Sequence, residues 1–216
     1  MKPTIIAISG KIGSGKDEFA KLFAELSFNG VERHCFADKV RDVVELIVGK
    51  KMSLLHEAGN PFHNPIYNYS QEEKNLYLPM WNKTIGQCLQ LVGTDVFRER
   101  FDKDTWVKAL FSTTGKSCIE NGRCLIIPDC RFPNEADTVI DMGGIVIRME
   151  GDPKGVRLKS TRDLNHESET ALDGYTKFTE IIHNDIVDIN ILRSKIINIM
   201  DSYDILKKSS IGTDLI

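Results

Sequence analysis

One short stretch constrains the fold of this chain more than any other, and it is Gly10-Lys11-Ile12-Gly13-Ser14-Gly15-Lys16. It matches the pattern G-x-x-x-x-G-K, in which glycines let the backbone curl until successive N–H groups face one anion. The apolar run Thr4–Ser9 before it predicts a strand buried on both faces, and the residues after it predict an amphipathic helix. A buried strand, a glycine-rich turn and a helix N-terminus together predict a phosphate-binding loop.

Two positions at the end of this loop carry specific expectations. Lys16 is expected to reach the β- and γ-phosphates of a nucleotide as a point charge. Asp17 stands where Ser or Thr usually gives a hydroxyl to Mg²⁺. Its carboxylate either binds the metal or caps the helix, and the sequence leaves both roles open. The loop residues predicted to contact phosphate are Gly10, Ile12, Gly13, Ser14, Gly15, Lys16 and Asp17.

Four further strands are predicted, over residues 32–37, 124–129, 144–149 and 179–184, and helical periodicity separates them. Strands that alternate with helices predict a parallel sheet covered on both faces, so the expected class is α/β. Ligands of such sheets bind beyond the carboxyl ends of the strands. The length of the chain suits a single domain over residues 1–216.

The segment between the second and third predicted strands is less regular. Residues 50–82 contain three of the chain's seven prolines and predict a loop-rich insertion with a short helix from Gln71. Residues 83–115 return to helical periodicity. Breaks are expected near Gly93-Thr94 and near Asp102-Lys103.

Polar side chains follow two of the predicted strands. Asp129 ends the apolar run over 124–129, a place from which a carboxylate holds Mg²⁺ or accepts a proton from the attacking group. Arg131 has a planar fork suited to phosphate oxygens, although a surface ion pair with Asp129 is the alternative. Asn184 ends the last strand and either hydrogen-bonds a base edge or begins a turn.

Further charged residues are candidate contacts to a second, anionic substrate, with a solvated helix face as the alternative. The basic stretch from Lys154 to Arg162 has the composition of a lid that places positive charge on a transferring phosphate and excludes water. His166 follows this stretch and has either a functional or a structural role. The remaining candidates are Asp38, Lys39, Arg41 and Arg98.

Composition excludes several classes of protein. The chain carries 28 Lys and Arg against 31 Asp and Glu. A net charge of −3 gives no overall attraction to the phosphate backbone, which argues against non-specific binding of nucleic acid. Its five cysteines contain no C-x-x-C pair, which argues against a structural zinc site and favours reduced thiols in a cytoplasm. No apolar run approaches the roughly 18 residues of a membrane span.

Together these motifs resemble the deoxynucleoside monophosphate kinases of bacteriophages. The loop resembles theirs in having an aspartate after its lysine, and the strand end at Asn184 has a counterpart there. Residues 50–78 match the family poorly. The other shared motifs are Gln90-Leu91-Val92-Gly93-Thr94-Asp95, Phe101-Asp102, Trp106-Val107-Lys108, Pro128-Asp129-Cys130-Arg131 and His166-Glu167-Ser168-Glu169.

The resemblance implies a three-layer P-loop kinase fold with a five-stranded parallel sheet. It implies an inserted helical lobe over residues 38–115 that binds the acceptor, and a lid over residues 150–170. The implied reaction moves the γ-phosphoryl group of ATP, with Mg²⁺, to a deoxynucleoside monophosphate and gives the diphosphate. The implied partners are these small molecules, with no nucleic acid and no membrane. The implied location is the cytoplasm, that of the host for a phage gene, and a homodimer is compatible with the sequence.

The resemblance also implies roles for individual residues. Lys16, Asp129 and Arg131 would be catalytic, Asp17 and Asp129 would hold the metal, and Asn184 would join the loop in binding ATP. The implied acceptor-binding residues are Asp38, Lys39, Arg41, Asp95, Arg98, Trp106, His166 and Glu169.

Two other classes of function stay open at this point. Another small-molecule kinase, of the dephospho-coenzyme A or phosphomevalonate type, fits the loop and Asp129 equally well. The other alternative is a non-catalytic nucleotide-binding regulator. The sequence holds no convincing N/T-K-x-D motif of a GTPase switch, and Cys130 stands where an ATPase motor usually has Glu.

Overall fold

A computed structural model describes residues 4–27, 30–55, 59–159 and 164–205. Arg162, part of the predicted lid, lies outside these ranges. Within them, no helix is long and apolar enough to cross a membrane. The strands, in chain order, are β1 (Ile5–Ser9), β2 (Val31–Arg33), β3 (Ser53–Leu55), β4 (Ile66–Asn68), β5 (Tyr77–Leu78), β6 (Lys83–Thr84), β7 (Cys124–Cys130), β8 (Ile145–Glu150) and β9 (Glu180–His183).

Helices connect these strands. Short 3₁₀ turns span Pro79–Trp81 and Arg157–Lys159, and a π-helical segment spans Leu91–Phe101. The α-helices are α1 (Lys16–Leu26), α2 (Asp38–Val48), α3 (Gln71–Asn75), α4 (Ile85–Gln90), α5 (Thr105–Ser112), α6 (Thr114–Glu120), α7 (Pro133–Asp141), α8 (Glu167–Thr170) and α9 (Ile189–Ser202).

The predicted parallel sheet is confirmed. Its five strands lie in the order β2-β7-β1-β8-β9, and every neighbouring pair is parallel. Strand β1 is central, with Ile6 opposite Ile126 on one side and Ile145 on the other. Because all these strands run the same way, the loops after them meet at one edge of the sheet.

Helices cover both faces of the sheet, as the continuous apolar strands predict. Ile6 and Ile8 of β1 belong to a buried cluster with α1 and α9, where Phe19, Phe23 and Ile196 pack. The alternate residues of β1 belong to a second cluster on the opposite face, with Trp106 and Leu110 of α5 and Val139 of α7. The molecule therefore has the expected three layers.

Strand β2 is shorter than predicted. It ends at Arg33 rather than at residue 37, because the chain turns there into α2. The Cys35 N–H donates to the Asp38 carboxylate at 2.8 Å, and the Asp38 N–H donates to the Cys35 carbonyl at 3.1 Å. The apolar residues after Arg33 therefore belong to a turn, although their sequence is typical of a strand.

The predicted break at Gly93-Thr94 is wrong. The helix that begins at Ile85 continues as the π-helical segment to Phe101, and only the break at Asp102 is confirmed. A Cβ on Gly93 would lie 3.3 Å from Val40, so this glycine permits close packing against α2. The Trp106 Nε1–H donates to the Gly93 carbonyl at 2.7 Å.

The insertion contains more regular structure than a loop. Its strands form two antiparallel hairpins, and the short helix expected from Gln71 is present. Ser70 and Glu73 form a capping box at its start. The Asn64 side chain accepts from the Arg33 N–H and donates to the Arg33 carbonyl, each at 2.9 Å. These bonds attach the insertion to the edge of β2.

Candidate active site

The phosphate-binding loop joins β1 to α1 at the carboxyl edge of the sheet. Gly13 and Gly15 have φ angles of 83° and 92°, in the region that favours glycine. A Cβ on Gly15 would lie 2.7 Å from Asn184 Nδ2, and one on Gly13 would collide with the Asp152 carboxylate. Both glycines are therefore required by backbone conformation and by close neighbours.

Lys16 and Ser14 supply side-chain donors inside this loop. The Lys16 ammonium donates to the Gly10 carbonyl at 2.6 Å and to the Lys11 carbonyl at 2.8 Å. Burial lowers the pKa of Lys16 to about 8, and the neighbouring Arg131 adds to this effect. The buried Ser14 hydroxyl has no hydrogen-bond partner among the described residues. An unpaired buried donor within a curl of N–H groups fits a phosphate oxygen.

Two side chains brace the loop from outside. The Asn184 amide donates to the Ser14 carbonyl at 3.0 Å, and Arg157 Nε donates to the Ile12 carbonyl at 3.0 Å. The Asn184 amide nitrogen therefore supports the loop backbone rather than a base edge. Arg157 belongs to the predicted lid, and it contacts the loop through this bond. The carboxylate of Asp152 accepts the Arg157 N–H at 2.8 Å, which fixes the start of the 3₁₀ turn Arg157–Lys159.

A cleft of about 770 Å³ lies beside the loop. The start of α2, the α4 helix with the π-helical segment, the start of α7 and α8 form its walls. Its apolar lining is joined by amide and hydroxyl groups and by three arginines. The lining residues used below are Arg41, Gln90, Thr94, Arg98, Trp106, Asp129, Arg131, Phe132, Glu135 and Glu169.

Each arginine of the cleft is held by a carboxylate. Asp38 pairs with Arg41, one turn away on α2. Glu135 lies 3.1 Å from Arg98, and Glu169 pairs with Arg131. These ion pairs fix the directions of three guanidinium groups, which are suited to bidentate contact with phosphate. Three of the predicted site residues, Arg41, Arg98 and Arg131, thus line the same cleft.

Glu135 is a charged residue of the cleft that sequence reasoning missed. It accepts the Arg131 N–H at 2.8 Å and the Phe132 N–H at 3.1 Å, and its other oxygen binds Arg98. Burial raises the pKa of Glu135 to about 7. Arg98 also lies 3.6 Å above the ring of Phe132. The available signal was an acidic residue in the first turn of α7, where a carboxylate turns back to cap the helix.

Asp129 has both carboxylate oxygens engaged. They accept the N–H groups of Phe36 and Ala37, each at 3.0 Å, at the entry to α2. Burial raises the pKa of this carboxyl above its usual value. These two bonds tie the end of β7 to the entry of α2, which supports a positioning role for Asp129. Each oxygen keeps a second acceptor site, so metal binding by Asp129 stays a prediction.

Asp17 fits Mg²⁺ better. Its side chain is 83% exposed, and one oxygen accepts from Arg33 at 2.7 Å. Desolvation acts in the opposite direction, but Arg33 lowers the pKa of this carboxyl below its usual value. The described residues include no group of three or more His, Cys, Asp or Glu arranged around a metal. A single carboxylate beside a phosphate site agrees with how Mg²⁺ is bound in kinases.

The remaining predicted residues are placed unevenly. Trp106 lines the cleft, whereas Lys39 pairs with Asp42 at 2.7 Å and does not line it. Asp95 is exposed on the π-helical segment. His166 caps α8, where its Nδ1 accepts the Ser168 N–H at 3.2 Å.

Gln90 and Thr94 line the cleft although neither was among the predicted site residues. They belong to the same Gln90–Asp95 motif that the sequence singled out. Neighbouring residues of a helix point in different directions, so Thr94 is buried and lines the cleft, whereas the predicted Asp95 is exposed to solvent.

The fold and the site define a class of protein. A phosphate-binding loop follows the central strand of a parallel sheet, and an arginine-lined cleft opens at the same edge. This combination is that of a P-loop phosphotransferase, which needs little beyond positioning and charge stabilisation from its side chains.

Comparison with known proteins gives the family. A family model described as deoxynucleotide monophosphate kinase matches residues 50–196, more than half of the chain. The chain therefore belongs to the deoxynucleotide monophosphate kinase family, as its motifs predicted. The match includes residues 50–78, where the motif resemblance is poor, and it begins after the phosphate-binding loop.

Two curated relatives agree with this assignment. A putative deoxynucleotide monophosphate kinase of Acanthamoeba polyphaga mimivirus is 28% identical and aligns with 92% of this chain and 96% of its own length. The deoxynucleoside-5'-monophosphate kinase of Escherichia phage T5 is 22% identical, with coverage of 91% and 96%. Among solved structures, shikimate kinase from Bacteroides thetaiotaomicron overlaps with a TM-score of 0.47 at 14% identity, covering 93% of this chain and 98% of its own.

Proposed function

We propose that this chain transfers the γ-phosphoryl group of ATP to a deoxynucleoside monophosphate and releases the diphosphate and ADP. The observation that carries the proposal is the position of Arg131. Its guanidinium lines the acceptor cleft, and its charge contributes to the lowered pKa of the half-buried Lys16 ammonium of the loop. A residue shared by both sites is placed to stabilise charge that develops between donor and acceptor.

The donor side binds the phosphates of ATP. Loop N–H groups and the Ser14 hydroxyl contact phosphate oxygens, and Lys16 exchanges its carbonyl partners for the β- and γ-phosphates. Asp17 is the residue that would hold Mg²⁺ beside them. When bound, the ion neutralises charge on the transferring group.

The acceptor side orients the monophosphate. Arg41 and Arg98 bind its phosphate, with Trp106 and Phe132 forming apolar walls for the nucleoside. No strong base is needed, because a phosphate oxygen is already a nucleophile at neutral pH. Asp129 contributes indirectly by holding the entry of α2 in place.

We further propose the arrangement that the sequence predicted around this reaction. Residues 38–115 form the acceptor lobe and residues 150–170 the lid. The protein acts on small molecules in a cytoplasm, that of the host for a phage gene, and does not bind nucleic acid. Homodimer formation stays a prediction that size-exclusion chromatography with light scattering tests.

A substrate panel tests the reaction. ADP release is measured with each of the four deoxynucleoside monophosphates, with dephospho-coenzyme A and with phosphomevalonate, and Lys16→Met is the inactive control. We expect turnover with at least one deoxynucleotide and none with the other two compounds. Turnover on neither class, with ATP still bound, would favour a nucleotide-binding regulator.

A further inference from the structure

A carboxylate of α8 lies on the phosphate-binding loop itself. Glu169 Oε2 accepts the Ile12 N–H at 3.2 Å, and Oε1 pairs with the Arg131 guanidinium. Arg131 also donates to the Ser168 carbonyl at 2.9 Å. The Glu169 side chain is only 4% exposed, so these contacts are made away from solvent.

The donors that hold Glu169 are those that a phosphate needs. Ile12 is an internal residue of the loop, and its N–H is one of the backbone donors that curl towards an anion. Each N–H has one proton to donate, so a carboxylate oxygen and a phosphate oxygen exclude each other there. A triphosphate also places several negative charges close to this carboxylate, which raises the cost of keeping it in place.

Glu169 is ionised at neutral pH. Burial alone would favour the protonated acid, but Arg131 and its hydrogen bond lower the pKa of this carboxyl below its usual value. The group that contacts Ile12 is therefore an anion.

We infer that Glu169 competes with the phosphates of the nucleotide for the Ile12 N–H and for Arg131, so that nucleotide binding displaces its carboxylate. This inference rests on the proposed binding of ATP at the loop. It assigns Glu169 a role in setting nucleotide affinity rather than in binding the acceptor.

A second contact extends the effect to the segment after the predicted lid. Asp173 lies four residues beyond Glu169, and its Oδ2 accepts from Lys11 Nζ at 2.7 Å. Its Oδ1 lies 3.2 Å from Arg148 of β8. Segment 167–173 thus contacts the loop through two carboxylates, those of Glu169 and Asp173. Displacement of Glu169 removes one of these contacts and links phosphate binding to the position of α8.

The alternative role for Glu169 is to hold Arg131 in a productive direction. The two roles predict opposite results. Removal of a competitor tightens nucleotide binding, whereas removal of a positioning group weakens it or leaves it unchanged.

The decisive variant is Glu169→Gln, which keeps the shape and removes the charge. We expect ATP and inorganic tripolyphosphate, each without acceptor, to bind about tenfold more tightly in calorimetric titration. Tripolyphosphate isolates the phosphate contacts from those of the nucleoside. Glu167→Gln is the matched control, because Glu167 is exposed on the same helix, and its affinities should equal those of the wild type. Unchanged or weaker binding by Glu169→Gln overturns the inference.

Hydrogen exchange on the wild-type protein gives a test that does not depend on a variant folding. We expect ATP to increase amide exchange in residues 167–173, where the Glu169 N–H is bonded to the His166 carbonyl at 2.8 Å. Unchanged or reduced exchange there contradicts displacement. Both measurements omit the acceptor, so a failure of the substrate panel leaves them informative. If wild-type protein binds neither ATP nor tripolyphosphate, the inference and the proposed function fail together.

Discussion

The phosphate-binding loop and the acceptor cleft lie at the same edge of the sheet but are built differently. The loop is a run of consecutive residues whose donors are mainly backbone N–H groups. The cleft depends on arginines whose carboxylate partners include residues 37 and 38 positions away, as in Arg98 with Glu135 and Arg131 with Glu169. A backbone site is encoded locally, whereas a side-chain site exists only after the chain has folded.

This difference has an energetic consequence. The backbone donors of the loop carry no formal charge, so their burial requires only hydrogen-bond partners. Arg41 and Arg98 of the cleft are largely buried cations, and each would be costly without its carboxylate. We therefore expect substitutions in the loop to affect chemistry and substitution of Glu135, the partner of Arg98, to affect stability.

The largest expected effect tests the loop. Lys16→Met should lower the rate of phosphoryl transfer by about 10³-fold while leaving the fold intact, because it removes a charge that contacts the transferring group. Lys11→Met is the matched control: its ammonium pairs with Asp173, and its loss should change the rate by less than about threefold. Steady-state ADP release measures both. Equal losses in the two variants would contradict the assignment.

The next prediction tests the cleft. Glu135→Ala should lower the free energy of unfolding by about 3–5 kcal/mol, because it leaves the buried Arg98 guanidinium and two N–H groups without their partner. Urea denaturation measures the change. Glu99→Ala, an exposed neighbour on the π-helical segment, should stay within about 0.5 kcal/mol of the wild type. A small effect of Glu135→Ala would remove the distinction between the two regions.

Independence of the two regions is tested by Arg98→Lys. A lysine cannot reproduce the fork that binds Glu135 and Asn134, so the acceptor phosphate should lose a fixed partner. We expect KM for the monophosphate to rise about tenfold with KM for ATP unchanged. A parallel rise in both constants would show that the loop and the cleft do not act separately.

Titration of the loop lysine gives a pH dependence. The pKa of Lys16 is lowered to about 8, and a bound phosphate favours the charged form, so ATP affinity should fall as pH rises from 7 to 9. For a single group the loss over this range is up to about tenfold. Titration calorimetry measures it. Lys16→Arg stays charged and should show no such fall, and an equal slope in both proteins would assign the effect to another group.

The smallest expected effect concerns Asp17. Asp17→Ala should raise the Mg²⁺ concentration needed for half-maximal activity by about threefold if the carboxylate holds the metal. Glu18→Ala is the control, because it removes the same charge from the first turn of α1. An unchanged Mg²⁺ requirement in Asp17→Ala would exclude metal binding by Asp17 and would favour its role as a helix cap.

Much of the fold and of the donor site was predictable from the sequence. The apolar run before Gly10, the glycines and the amphipathic helix are local signals, and each has the predicted structure. The glycine-based break at residue 93 was wrong, because that glycine serves packing against Val40 rather than helix termination. The end of β2 was wrong because the turn is fixed by Asp38, five residues beyond Arg33.

The sequence by itself determined the α/β class, the phosphate-binding loop and the family motifs, since neighbouring residues set backbone conformation and periodicity. Only the tertiary structure decided how the charged side chains are used. In the folded chain Asn184 hydrogen-bonds the loop and His166 caps α8. Glu135 and Glu169 pair with arginines that are distant in the sequence. The physical reason is that an ion pair depends on distance in space, and packing of the sheet and its helices sets that distance.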